Sequence, residues 1–253
     1  MVTRETSWPA GTPCWADLGA DVDKSTAFYS GLFGWEVDKL ETAVLGYWTA
    51  TLGGRNAAGL GAQQDMAQPP QWTTYLATDD ADATAAKIFE AGGHVVVAPM
   101  DVEEQGRIAI AVDTAGAMFG IWQAGAHTGL QVTGESGSVT WSENTTRDFD
   151  GTRKFYADVF GYSYADLSDN DSQYATISLG GDTIGGIGGA YGDAPSAWLT
   201  YFAVSDTDAA VAKVAELGGW VVMPPTDSPN GRAAVVSDDQ GAVFAVIDAS
   251  TKA

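Results

Sequence analysis

FYSGLFGW at residues 28–35 returns as FYADVFGY at residues 155–162. One copy would be a short aromatic helix end, but two copies 127 positions apart make the chain a repeat. The match extends well beyond this motif. WTTYLATDDADATAAKIFEAGG (72–93) aligns with WLTYFAVSDTDAAVAKVAELGG (198–219), and GRIAIAVDTAGAMFGIW (106–122) with GRAAVVSDDQGAVFAVI (231–247). Between the halves, GAHTGLQVTGESG (125–137) is rich in Gly and Thr and reads as a linker.

Each half divides again. Trp15, Trp72, Trp141 and Trp198 each open an apolar or alternating stretch, and Gly34, Gly92, Gly161 and Gly218 follow 19 or 20 residues later. Four units of about 60 residues result, near 10–64, 70–124, 138–190 and 195–250. The halves are therefore expected as domains over 10–124 and 138–250.

Within a unit, WTTYLAT has the β-branched and aromatic character of a strand. Asp80 or Asp82 is the expected helix cap, ATAAKIFEA the helix, and Gly92-Gly93 the stop. HVVVAPM, RIAIAV and AMFGIWQ then read as three more strands, parted by polar turns. The unit is βαβββ and the fold class α+β. A four-stranded sheet under one helix buries a single face, so two units are expected side by side in an open cup, giving two cups.

Composition narrows the partners. Twelve basic against 33 acidic residues leave a net charge of −21, which repels phosphate backbones and anionic lipid, so neither nucleic acid nor a membrane is expected. No run of 18 apolar residues occurs, and the start, MVTRETSWPAGTP, has no apolar segment of the signal-peptide kind. The single cysteine, Cys14, excludes an internal disulfide and a multi-cysteine metal site. A cytoplasmic protein is the expectation, and a monomer, because the fused repeat supplies its own pairing.

The βαβββ units, the run from Asp21 to Trp35 (DVDKSTAFYSGLFGW) and the D-x-x-G-x-x-F tails at Asp113–Phe119 and Asp238–Phe244 resemble the vicinal oxygen chelate superfamily. That group contains glyoxalase I, bleomycin-resistance proteins and extradiol dioxygenases. GTPCWADL followed by AFYSGLFGW is similar to its two-domain actinobacterial members. The resemblance implies the fold over nearly the whole chain, while the chemistry stays open among lyases, isomerases, dioxygenases and binding proteins.

It also implies where a divalent metal would sit: on His, Glu or Gln at the head of each unit's first strand, and on a Glu of the last strand. This chain has Cys14 or Trp15, Trp72, Trp141 and Trp198 near the first kind of position, and Gly120 and Ala245 at the second. Its two histidines, His94 after a helix stop and His127 in the linker, match neither and are expected to be structural or superficial. No metal or other cofactor is therefore expected, one divalent ion being the alternative. Asp17 and Glu143 are equivalent acids two residues after a unit's tryptophan, on the same strand face.

If the replaced positions face the cavity, the first cup is lined by Trp15, Asp17, Trp72, Thr74 and Trp122, with Tyr47 or Trp48. The second is lined by Trp141, Glu143, Trp198, Thr200 and Phe202, with Tyr174 nearby. A one-residue change of register would instead send the unit tryptophans into the layer between sheet and helix. Because Trp48 and Trp122 meet Ala175 and Ile247 under the repeat, the two cups are not expected to bind equally. Arg107 and Arg232 occupy equivalent positions, as anion contacts at the rim or as partners of neighbouring acidic turns. Two functions follow. One is metal-independent binding of a small, partly aromatic molecule, of the sequestration or resistance type. The other is a glyoxalase-like lyase or isomerase, or another vicinal oxygen chelate enzyme, metal-dependent or using Asp17 and Glu143 as acid and base.

Overall fold

Four aspartates start four helices. Asp21, Asp80, Asp148 and Asp206 each accept a hydrogen bond from the backbone N–H three residues on, opening α1 (Val22–Phe33), α2 (Ala81–Glu90), α3 (Phe149–Phe160) and α4 (Thr207–Glu216). Asp80 is thus the cap of α2, and Asp82 lies in its first turn. Gly34 and Gly161 end α1 and α3 with left-handed φ of 74° and 75°, a conformation a side chain would strain. The computed structural model describes residues 2–39, 46–63, 69–169, 172–190 and 192–248.

The strands of the first half are β2 (Pro13–Ala20), β3 (Glu36–Lys39), β4 (Tyr47–Leu52), β5 (Arg55–Ala62), β6 (Gln71–Ala77), β7 (His94–Val102), β8 (Gly106–Val112) and β9 (Met118–Ala124). Those of the second are β11 (Val139–Thr146), β12 (Ser163–Asp166), β13 (Tyr174–Leu179), β14 (Asp182–Gly189), β15 (Ala197–Ala203), β16 (Trp220–Ser228), β17 (Gly231–Ser237) and β18 (Val243–Asp248). Each half forms one eight-stranded mixed sheet, in the orders β3-β4-β5-β2-β6-β9-β8-β7 and β12-β13-β14-β11-β15-β18-β17-β16. The first strands of the two units meet at the centre, β2 antiparallel to β6 and β11 antiparallel to β15. The architecture is α+β: two tandem open cups made from four βαβββ units.

The helix-bearing faces of the two sheets pack against each other. Thr74 Oγ1 on β6 lies 3.4 Å from Thr200 Oγ1 on β15, so a residue meets its own repeat counterpart and the approximate two-fold axis passes between them. Around that axis the repeated motifs act as staples. Tyr29 of the first FY pair donates to Asp238 of the second half (3.0 Å), and Tyr156 of the second donates to Asp113 of the first (3.1 Å). Trp72 and Trp198 donate to those same two hydroxyls at 3.0 and 2.7 Å. All six side chains are buried, so each bond answers a polar group that would otherwise be stranded. Phe28, Phe33 and Trp35 pack with Phe202 and Phe244 across the boundary, edge-on or tilted as aromatic quadrupoles prefer.

The stretch expected as a linker is tied down. Two-residue strands β1 (Val2–Thr3) and β10 (Val132–Thr133) pair with each other, Leu130 N–H donates to Cys14, and Gly137 exchanges bonds with Trp35 and Ala203. Among the described residues no helix is long and apolar enough to cross a membrane.

Candidate functional site

Alternation sorts the central strands into two faces. Leu18 lies opposite Trp72 and Ala16 opposite Thr74, on the face that carries α1; Trp15 lies opposite Tyr75 and Asp17 opposite Thr73, on the concave face. Trp15, Asp17, Tyr47 and Trp122 therefore share the first cup, as Trp141, Glu143 and Tyr174 share the second.

Six residues expected in the cups are not there. Trp72, Thr74, Trp198, Thr200 and Phe202 all point to the helix side and are buried between the sheets, where the tryptophans bond Tyr29 and Tyr156 and the threonines meet on the two-fold axis. Trp48 stands in register with Leu60 rather than with the glycines under Tyr47, and packs on the same core. The cause is register: in WTTYLAT the cup-facing phase is Thr73 and Tyr75, one residue away from Trp72 and Thr74.

In the first cup, Trp15 Nε1 donates to Tyr47 Oη (2.7 Å), and Tyr47 donates to Asp17 Oδ2 (3.2 Å). Tyr75 gives Asp17 a second phenolic hydrogen bond. The second cup repeats the set with Trp141, Tyr174, Tyr201 and Glu143: Tyr201 donates to Glu143 Oε1 at 3.4 Å, and the longer acid also reaches the Trp141 and Tyr174 donors. Tyr75 and Tyr201, which complete the two sets, went unread in the sequence because the other phase of their strands is equally apolar.

Glycine makes room for this arrangement. A Cβ on Gly59 would fall 1.9 Å from Tyr47 Oη, and one on Gly186 would fall 2.4 Å from Tyr174 Oη. The glycine-rich GLGA and GGIGG strands are thus the floors on which these rings lie.

Burial dominates the electrostatics. Loss of hydration pushes Asp17 up to about 7 against the two tyrosine hydrogen bonds that pull it down, and raises Glu143 from the carboxylic range for the same reason. The same burial, with the neighbouring acid, holds Tyr47 and Tyr75 far above their usual range, so both keep their protons.

His127 sits within the first cup rather than on the surface. Its ring is 4.4 Å from that of Trp15, edge-on at 85°, and 5.4 Å from that of Trp122. Nothing in the spacing of a linker histidine signals this placement. At the rim, Arg107 binds Asp82 and Asp101, and Arg232 binds Asp208 and Asp227, so both guanidiniums are engaged by the helix start and the edge strand of their own units. His94 opens β7 as an exposed residue.

The sequence profile of the Glyoxalase/Bleomycin resistance protein/Dioxygenase superfamily matches residues 18–121 and 141–246. The chain belongs to that superfamily. Within it, the chain is 38% identical over 256 residues to CFP32 of Mycobacterium tuberculosis, named as a candidate glyoxylase, covering 96% of this chain and 97% of that one. It is 37% identical over 261 residues to the anthracycline biosynthesis protein DnrV of Streptomyces peucetius, covering 96% and 95%. Among solved structures, the Mn(II)-bound glyoxalase of Novosphingobium aromaticivorans superposes with TM-score 0.67 at 15% identity, covering 96% of this chain and 86% of that one. The 2,3-dioxygenase LapB of Pseudomonas sp. KL28 does so with TM-score 0.67 at 13% identity, covering 94% and 93%. At such identities these two share the fold.

The superfamily raises the question of a divalent ion, and the donor set answers poorly to one. The first cup offers one carboxylate and the His127 imidazole among indoles and protonated phenols, the second one carboxylate beside an indole and two phenols, and among the described residues no three His, Cys, Asp or Glu side chains gather into a metal-binding group. A phenol held well above its usual range is a weak ligand, because binding must first remove its proton.

Proposed function

We propose that the chain binds a small, flat, partly aromatic molecule in a β-cup without the help of a metal, sequestering or presenting it. One observation carries the reading: in both halves the cup acid, Asp17 or Glu143, is surrounded by Trp and Tyr donors instead of further metal ligands. An aromatic wall with one hydrogen-bonded carboxyl suits a planar ligand bearing a hydroxyl or a cationic nitrogen. Aromatic pairs contribute about 0.5–1.5 kcal/mol each beyond area burial, so a few contacts reach micromolar affinity, roughly −8 kcal/mol. Kinship with a protein named for anthracycline biosynthesis supports a fused-ring phenol as the first probe. The pairing of the halves through their own helix faces supports a monomer, and the reading takes the chain to be a cytoplasmic protein.

The test is titration of untagged, chelator-treated protein with a hydroxylated anthraquinone, followed by tryptophan quenching and by recovery of the probe. Saturable quenching with the probe released unchanged supports the reading. A requirement for added Mn(II), Fe(II), Ni(II) or Zn(II) sinks it.

A second reading is supported by the acid itself. An Asp17 titrating at about 7 is placed for proton transfer near neutral pH, as a metal-free isomerase or a glyoxalase-like lyase would need. Conversion of a probe that Asp17→Asn abolishes, with binding retained, would favour it.

A further inference from the structure

The two cups differ at one slot. In the first, the linker lays His127 over Trp15 and Trp122, and its backbone is fixed there. Gly125 N–H and His127 N–H donate to Gln105 O (2.9 and 3.1 Å), Ala126 N–H donates to Glu104 O (2.9 Å), and Trp122 Nε1 donates to His127 O (2.9 Å). The imidazole is a polar ring in a nearly dry aromatic slot, and its buried Nε2 has no hydrogen-bond partner. A protein gains little by burying an unanswered nitrogen, so the contact that holds it is the fit of a small ring against two indoles. Burial alone pushes the imidazole down to about 4, so it stays neutral there.

The consequence appears at two ring positions. Trp15 and Tyr75 keep only 4% and 5% of their surface, whereas their counterparts Trp141 and Tyr201 are only partly buried. At Trp122 the second half has Ile247.

We propose that His127 is a built-in plug that occupies the ring slot of the first cup, leaving the cup of Trp141, Glu143, Tyr174 and Tyr201 as the one that takes an external ligand. This rests on the aromatic-ligand reading above and assigns it to one half. The first cup becomes a structural copy holding its own imidazole, and the linker decides how many ligands a chain can bind.

The measurement is the number of sites per full-length, untagged chain, by calorimetric titration with the hydroxylated anthraquinone, alongside binding of free imidazole followed by tryptophan fluorescence. Wild type is expected to bind one probe, and Glu143→Gln to weaken it by about tenfold, the loss of one charge-assisted hydrogen bond. His127→Gly is expected to bind free imidazole, which wild type does not, and to raise the probe count to two. Saturating imidazole should return that count to one, and His127→Phe, which keeps a ring in the slot, should stay at one. If the glycine variant does not fold, His127→Ala carries the same measurements. Two sites in wild type, one site insensitive to Glu143→Gln, or a glycine variant that takes up neither imidazole nor a second probe would each overturn the assignment. A probe that binds no variant while imidazole still enters the glycine variant would uphold the plug and sink the ligand reading instead.

Discussion

The two cups began as one pattern and have kept its floor while changing its mouth. Trp, Tyr, acid and Tyr recur at Trp15, Tyr47, Asp17 and Tyr75 and at Trp141, Tyr174, Glu143 and Tyr201, with Tyr47, Tyr75 and Tyr174 each lying on a strand glycine and Tyr201 beside Ala245. What differs is the acid's length, the residue at Trp122 or Ile247, and the ring supplied by the linker. The conserved part is bound together by internal hydrogen bonds, so changing one member strands the others. The altered part lies where only a ligand would feel it. Duplication therefore frees the mouth of one cup to close while the other stays open.

The comparison is broken most severely from behind. Trp72 and Trp198 fill equivalent slots between sheet and helix, each bonded to a tyrosine of the FY pair. Replacing either by Ala is expected to cost about 3–5 kcal/mol by cavity formation and loss of the indole donor. Equal losses in urea unfolding would show the halves equivalent behind their cups, and a small loss at either site would refute the core assignment.

A smaller effect separates the acids. Asp17 holds its proton in the fold up to about 7 but releases it near 3.8 in the unfolded chain. Between those values the folded chain binds more protons, so stability falls as pH rises through that window. Asp17→Asn removes the penalty: from about pH 4 to about pH 8 it should gain on the order of 1–3 kcal/mol relative to wild type. Glu143→Gln should move in the same direction. The check is a pair of urea titrations at the two pH values, and a pH-independent difference would place Asp17 in water.

These residues also show how far the chain can be read without coordinates. The βαβββ units, the α2 cap to within Asp80 or Asp82, and the pairing of Trp15 with Asp17 on one face were legible, because each depends on local spacing. Trp72 and Thr74 were expected on the wrong face of β6. In WTTYLAT both phases are apolar enough to be buried, so only the pairing partner across β2 decides. Asp113 and Asp238 were recognised as family-like tail residues, yet their bonds to the other half's tyrosines depend on a contact between domains that no local pattern encodes. His127 was unreadable for the same reason: its linker position says nothing of where the chain folds back.

The staples across the two-fold axis give a finer comparison. Asp238 accepts a side-chain bond from Tyr29, whereas Asp113 accepts from both Tyr156 and Asn144 (3.2 Å), and the first half has Leu18 where the second has Asn144. Removing one buried hydroxyl costs about 1–2 kcal/mol when it leaves an acid short of a donor. Tyr29→Phe should therefore destabilise more than Tyr156→Phe, by thermal unfolding measured side by side. Equal losses would mean that the amide of Asn144 does not support Asp113.

The smallest expected effect is at the rim, where the halves should behave alike. Arg107 and Arg232 each bridge an aspartate in the first turn of the preceding helix and another on the neighbouring edge strand, with the aspartates largely exposed. Water screens such pairs, and holding a long side chain in one pose offsets part of the attraction. Arg107→Gln and Arg232→Gln should thus leave the melting temperature almost unchanged and by the same amount, with the small difference vanishing in high salt. Affinity for an uncharged probe should be unmoved in both. If instead an anionic probe, such as a sulfonated anthraquinone, binds more weakly to Arg232→Gln alone, then that guanidinium exchanges its aspartates for the ligand, and the open cup extends to its rim.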